Sequence, residues 1–145
     1  MQEKAQRVVS EHAEFDEAFA KAADCVAEAQ RGLAQLKTPS GDRYGVQAQL
    51  ERLNDFAVVR EEGQILLQSA SSWADKAMLN TSPGGRETIR QAMAQLSATW
   101  SGFLTELGET RGGLDTALLQ WTEFDDSLDQ VRARLRENYI DFLHA

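Results

Sequence analysis

Residues 86–143 read RETIRQAMAQLSATWSGFLTELGETRGGLDTALLQWTEFDDSLDQVRARLRENYIDFL. Core-type side chains recur in this segment at alternating steps of four and three, which places them on one face of an α-helix. The positions are Ile89, Met93, Leu96, Trp100, Phe103, Leu107, Thr110, Leu114, Ala117, Trp121, Phe124, Leu128, Val131, Leu135, Asn138 and Phe142. Because the rhythm never slips, it predicts one helix from about 86 to 143, roughly 85 Å long at 1.5 Å per residue. Gly108, Gly112 and Gly113 weaken this helix and mark the place where a kink would occur.

Two further helices are predicted before this segment. The first covers residues 7–37 and ends at the Thr38-Pro39-Ser40-Gly41-Asp42 breaker. The second begins near Val46 and closes before the turn at 80–85; its apolar phase shifts between Phe56 and Val59, as in a stammer that overwinds the supercoil. Gly63 costs this second helix about 1 kcal/mol relative to alanine. The core positions predicted for the first helix are Val8, His12, Phe15, Phe19, Ala22, Val26, Ala29, Leu33 and Leu36.

Composition and charge agree with an all-α protein and narrow its partners. The 145 residues include only two prolines and ten glycines, and good helix formers recur throughout. The net charge of -8 opposes binding to nucleic acid or to an anionic membrane surface. Cys25 is the only cysteine, so the chain has no internal disulfide and suits the reducing cytosol. Residues 1–7 lack the apolar core of a signal peptide, and no apolar run is long enough to span a membrane.

The chain also contains an internal repeat with an offset of 109 residues. This offset places Trp121 on His12 and Phe124 on Phe15, and the sequence Glu-Phe-Asp at 14–16 returns at 123–125. A repeat that restarts after three helices means that the third helix of one bundle continues into the first helix of the next. We therefore expect residues 1–117 to form one complete unit of an array and residues 118–145 to form the first helix of the following unit.

These features resemble a spectrin repeat, in which three antiparallel helices form a bundle and a shared helix joins neighbouring bundles. Trp100 and Trp121 occupy the third helix and the next first helix, as in that superfamily. The segment NTSPGGRETI at 80–89, followed by Leu96 and Trp100, is similar to a turn common in nesprins, the giant KASH-domain proteins of the nuclear envelope. The sequence departs from the pattern at His12, where a tryptophan is typical, and at Gly63 and Gly112-Gly113.

The resemblance implies a structural role. The parent protein would be anchored in the outer nuclear membrane by a C-terminal tail, and in many nesprins distant N-terminal domains bind actin. Repeats such as this one would space these ends, transmit force between them and bind other proteins on the cytoplasmic face of the nuclear envelope. The resemblance implies no cofactor and no direct membrane contact by this segment.

Two histidines and the cysteine are the first candidates for chemistry. His12 lies among the core positions, either as a hydrogen-bonded core residue or as a pH-sensitive joint. Asp141 and His144 share a helical face, but no second carboxylate–histidine pair completes a di-metal site. Cys25 is interpreted as a small apolar residue, since Lys21 is the only basic residue placed to lower its pKa. We predict no catalytic, metal-binding or cofactor-binding residue, and therefore no enzyme.

Other residues have both a structural and a functional interpretation. Ser82-Pro83 starts a helix, and a phosphate there would suit the helix dipole. Trp100 and Trp121 are predicted core anchors, whereas Trp73 is either core or a partly exposed contact. The acidic pairs at 61–62 and 125–126 are solvated faces or a docking surface for a basic partner.

Three alternatives follow for the chain as a whole. One is a docking module for a cytoskeletal regulator or motor adaptor, which exposed apolar residues outside the core seam would favour. Another is an enzyme or metal-binding four-helix bundle, which requires the chain to fold back at Gly112-Gly113. Finally, Leu128, Val131, Leu135 and Phe142 form an apolar stripe that predicts homodimer formation through the C-terminal helix.

Overall fold

The computed structural model describes residues 2–144, and side chains from residue 9 onward. Four α-helices follow one another: α1 (Gln2–Ala34), α2 (Arg43–Asn54), α3 (Phe56–Met78) and α4 (Pro83–His144). Residues 2–144 contain no strand, and the predicted all-α fold is confirmed. Val8, predicted as a core residue, lies outside the described side chains.

Helix α4 is continuous over 62 residues, about 93 Å at the usual rise. It passes through Gly108, Gly112 and Gly113 without interruption, so the prediction of one long helix is confirmed. The helix begins at Pro83, earlier than predicted, because proline fits the first helical position and Ser82 Oγ accepts a hydrogen bond from the Gly85 N–H at 3.3 Å.

The prediction of a single second helix is wrong. The helix is interrupted at Asp55, whose φ of -65° and ψ of -22° are still right-handed but whose N–H bonds to the carbonyls of Arg52 and Leu53. The shift of apolar phase therefore marks a break between α2 and α3 and not a stammer. This break lets Leu53 face the core from α2 while the apolar residues of α3 follow a new phase. Helix α2 also starts before Val46, because Asp42 caps it by accepting from the Gly45 N–H at 2.6 Å.

The core lies where α1, the α2–α3 arm and α4 meet. Helix α1 ends at Ala34 and not at 37, but the following turn, closed by the Leu36 N–H on the Leu33 carbonyl, keeps both leucines buried. The main cluster of buried side chains comprises Ala22, Val26, Ala29, Leu33, Leu36, Val46, Leu53, Leu67, Ala70, Leu96, Trp100, Phe103, Leu107 and Leu114. Phe15, Ala74, Ala77 and Ile89 form a second cluster, which Phe19 and Met93 contact together with the first.

Gly63 has a packing role that its helix propensity conceals. It is buried in α3, and a Cβ atom at this position would collide with ring atoms of Trp100 on α4. The indole therefore lies directly against the α3 backbone. Gly63 does not interrupt α3, and the absence of its side chain makes room for the largest side chain of the core.

Burial along α4 ends before the helix does. Buried residues recur from Ile89 to Leu114, Ala117 and Trp121 are half-buried, and the seam positions from Phe124 onward are exposed. A compact bundle thus continues into a projecting helix. The assignment of residues 118–145 to a following repeat remains a prediction.

Candidate interaction surfaces

His12 is half-buried where the start of α1 meets the turn between α3 and α4. Its Nε2 lies 2.9 Å from the Thr81 hydroxyl oxygen, and that hydroxyl donates its proton to the Ala77 carbonyl. The oxygen is therefore free to accept a hydrogen bond from the histidine Nε2–H. This geometry corresponds to the structural interpretation of His12, as a hydrogen-bonded residue that ties α1 to the turn.

Cys25 is free and half-buried on α1. Burial raises the pKa of its thiol, and the nearby carboxylates of Glu62 and Glu28 raise that pKa further. Lys21 does not oppose them, because its Nζ pairs with Glu17 at 3.2 Å. The neutral thiol is thus favoured, which suits a small apolar residue and opposes a nucleophile.

The three tryptophans differ in burial. Trp100 is only 4% exposed and stacks on Phe103 at 5.3 Å between ring centroids, as expected of a core anchor. Trp121 is half-buried and meets Phe124 edge-on at 5.8 Å. Trp73 combines both interpretations: it is half-buried and packs against the second core cluster, and Lys76 Nζ lies 4.3 Å from its ring centroid.

The predicted apolar stripe is exposed on the projecting part of α4. Leu128, Val131, Leu135 and Phe142 are 37%, 50%, 63% and 78% exposed, respectively. None of them contributes to either core cluster. The stripe is therefore available to another helix.

One ion pair joins the bundle to this projecting segment. Arg43, the first residue of α2, places Nη1 3.8 Å from the Asp125 carboxylate on α4. Both side chains are partly exposed, so the pair contributes at most about 1 kcal/mol. The pair shows that the start of α2 lies beside α4 just beyond half-buried Trp121.

A groove that the sequence did not reveal runs along the α2–α3 arm and α4. Its larger section, about 560 Å³, is lined by Ala57, Arg60, Glu61, Gln64, Ile65, Trp100 and Leu104. A section of about 290 Å³ continues it past Leu53, Asn54, Leu107, Gly108 and Arg111. The two sections share Ala57, Arg60 and Leu104, so they form one trough, here named the α3–α4 groove. Two residues could have indicated this groove from the sequence: Ile65, an apolar residue outside the predicted core positions, and Gly108.

Metal binding and membrane spanning find no support in the described residues. Among the described residues, no three or more His, Cys, Asp or Glu side chains are grouped to hold a metal ion; Asp141 and His144 belong to no such group. No helix within residues 2–144 is long and apolar enough to cross a membrane.

Comparison with known proteins places the chain beside a segment of a far longer protein. It is 29% identical over 122 residues to muscle-specific protein 300 kDa of Drosophila melanogaster. The matched region covers 84% of this chain and 1% of that relative, so the chain spans about a hundredth of its length. No family model matches the chain, and no solved structure matches it.

Proposed function

We propose that this chain is a structural spacer and protein-interaction unit of a giant cytoskeletal linker, and that it performs no catalysis. The observation that carries this proposal is the relation between α4 and the core. The core-type residues at steps of four and three are buried only as far as Leu114, whereas the helix and the same apolar pattern continue toward His144. A helix shared between consecutive bundles gives an array its length and transmits tension along it.

Similarity to a small segment of a very long protein supports the same proposal. The resemblance of residues 80–89 to nesprins supports a more specific form of this proposal. In that form, the parent protein links the nuclear envelope to the cytoskeleton, and this segment lies on the cytoplasmic face. Its partners are then neighbouring repeats and cytoskeletal proteins, without nucleic acid, cofactor or direct membrane contact.

Small-angle scattering on a dilute sample tests whether the chain is an extended rod. A continuous α4 sets a maximum dimension of at least about 90 Å. A compact particle, with a maximum dimension near 50 Å, would mean that α4 folds back and would refute the spacer role.

Localisation tests the finer proposal separately. An antibody raised against this chain should stain the nuclear rim in cells that express the parent protein. Diffuse staining without a nuclear rim would refute the nuclear-envelope role and leave the spacer role intact.

A second candidate function, a docking module for a cytoskeletal regulator or motor adaptor, is favoured by the surface of α3. Val58 and Ile65 are 59% and 65% exposed although both are large and apolar. Neither belongs to the core clusters, and Ile65 lines the α3–α4 groove. Exposed apolar side chains beside a groove are typical of protein-interaction sites.

A further inference from the structure

The α3–α4 groove is long enough to receive a short helix. One wall extends from Leu53 to Ile65 and the other from Arg111 back to Trp100, so the helices run in opposite directions. The two walls span 13 and 12 residues, roughly 16–18 Å or a little over three helical turns. A helix that lies in such a groove contacts it with apolar side chains at steps of three and four.

The floor of the groove is apolar because small residues in its walls leave larger apolar side chains accessible from the groove. Ala57 and Gly108 leave space between the walls, and the half-buried Leu104 lies between the two sections. A Cβ atom added at Gly108 would meet nothing within 4 Å. Trp100 also lines the groove, and its buried Nε1 has no hydrogen-bond partner among the described residues.

The charge of the groove is opposite to that of the chain. Arg60 and Arg111 line it with a single carboxylate, Glu61, although the chain has a net charge of -8. Within the described part of the chain, neither arginine forms a salt bridge, and Arg111 instead donates to Asn54 Oδ1 at 2.9 Å. Two arginines without carboxylate partners beside an apolar floor complement an acidic partner.

We propose that the α3–α4 groove docks an acidic amphipathic helix of another protein. Apolar side chains of that helix lie over Ile65, Leu104 and Leu107, and its flanking carboxylates pair with Arg60 and Arg111. The proposal rests on the docking role and not on the spacer role.

The test uses the complete chain and a labelled, capped peptide of about 15 residues with leucines at steps of three and four and flanking glutamates. Fluorescence anisotropy should show saturable binding with a Kd below about 100 µM that weakens as salt is added. A peptide with lysine in place of every glutamate should bind at least about tenfold more weakly.

Two variants of the chain localise the binding. Arg60→Glu should weaken binding of the acidic peptide about tenfold and strengthen binding of the lysine peptide. Gly108→Leu should block the acidic peptide by placing a side chain in the groove, and its Cβ meets no atom within 4 Å, so the fold should be kept. Arg134→Glu and Gly102→Leu are the matched controls, since both positions are exposed on α4 and neither lines the groove.

Three results would overturn the proposal. The first is no saturable binding of the acidic peptide, and the second is equal weakening by the groove variants and their controls. The third is self-association of the chain that Gly108→Leu abolishes while the peptide fails to bind, because the occupant would then be a second copy. None of these results alters the rod dimension expected from scattering, so failure of the groove and failure of the spacer role are distinguishable.

Discussion

The indole of Trp100 lies directly against the backbone of Gly63, so α3 and α4 meet at a position where one helix has no side chain. Trp100 cannot easily move away, because it is 4% exposed and stacks on Phe103. The glycine is thus a steric requirement of the core and not only a weak point of α3.

Gly63→Ala should destabilise the bundle. Its Cβ overlaps the Trp100 ring, and overpacking typically costs about 1–3 kcal/mol, which exceeds the gain of about 1 kcal/mol or less in helix propensity. Chemical denaturation should show a net loss of up to about 2 kcal/mol. The control Gly102→Ala enters open space on α4 and should gain about 0.5–1 kcal/mol. Equal stabilisation by the two substitutions would show that Trp100 shifts freely.

Thr81→Val should destabilise the end of the bundle that contains His12. The substitution preserves shape but removes the hydroxyl that accepts from the half-buried imidazole, at a cost of about 1–2 kcal/mol. Thr99→Val is the control, since Thr99 is exposed and its hydroxyl bonds only to the Gln95 carbonyl of its own helix. Its effect should stay within about 0.5 kcal/mol in the same urea titration. A loss no larger than the control's would mean that the His12–Thr81 bond adds nothing.

Cys25 should make the stability of the chain fall at alkaline pH. Burial raises the folded-state pKa of the thiol above the unfolded value, so the thiol stays protonated to a higher pH in the folded state than in the unfolded state. Its contribution is complete below the unfolded pKa and is lost as the pH rises from that value through the folded pKa. The free energy of unfolding, measured against pH, should fall more for the native chain than for Cys25→Ala over this window. A constant difference between the two would contradict the burial effect.

The sequence predicts long helices well because their evidence is local. The rhythm from Ile89 to Phe142 established α4, and even Gly112-Gly113 did not break it. The break at Asp55 produced a visible phase shift, but a stammer and a break shift the apolar pattern alike. Asp55 and its neighbour Asn54 were the missed clue, since short polar side chains favour helix ends over helix interiors.

The contact between Gly63 and Trp100 and the α3–α4 groove could not be predicted from the sequence, for a different reason. Both depend on which residues of distant segments meet. From the sequence alone, Gly63 is only a weak helix former and Gly108 only a possible kink. The structure shows that Gly63 lies against Trp100 and that Gly108 lines the groove together with Ala57. Hydrophobic periodicity gives the face of a helix but not the depth at which two helices pack.

Residues 1–145 studied alone should form homodimers through the stripe on α4, and the charges of this segment favour an antiparallel arrangement. Glu123, Asp125, Asp126 and Asp129 precede Arg132, Arg134 and Arg136. A two-fold axis between Leu128 and Val131 pairs these two residues across the interface and places the acidic half of each helix beside the basic half of the other. A parallel pair would place like charges together.

Sedimentation at increasing concentration checks this dimer. Leu128→Asp should abolish association without changing the stability of the bundle, because residue 128 lies outside the core clusters. Leu79→Asp is the control, since Leu79 is 83% exposed and lies away from the stripe. Asp125 pairs with Arg43 within the chain, so the charge exchange is made in an Arg43→Gln background. In that background Asp125→Arg and Arg132→Asp should each weaken the dimer, and the double variant should restore it, because these positions face each other only in the antiparallel register. A monomer at millimolar concentration, or no rescue by the double variant, would refute the dimer or its register, respectively.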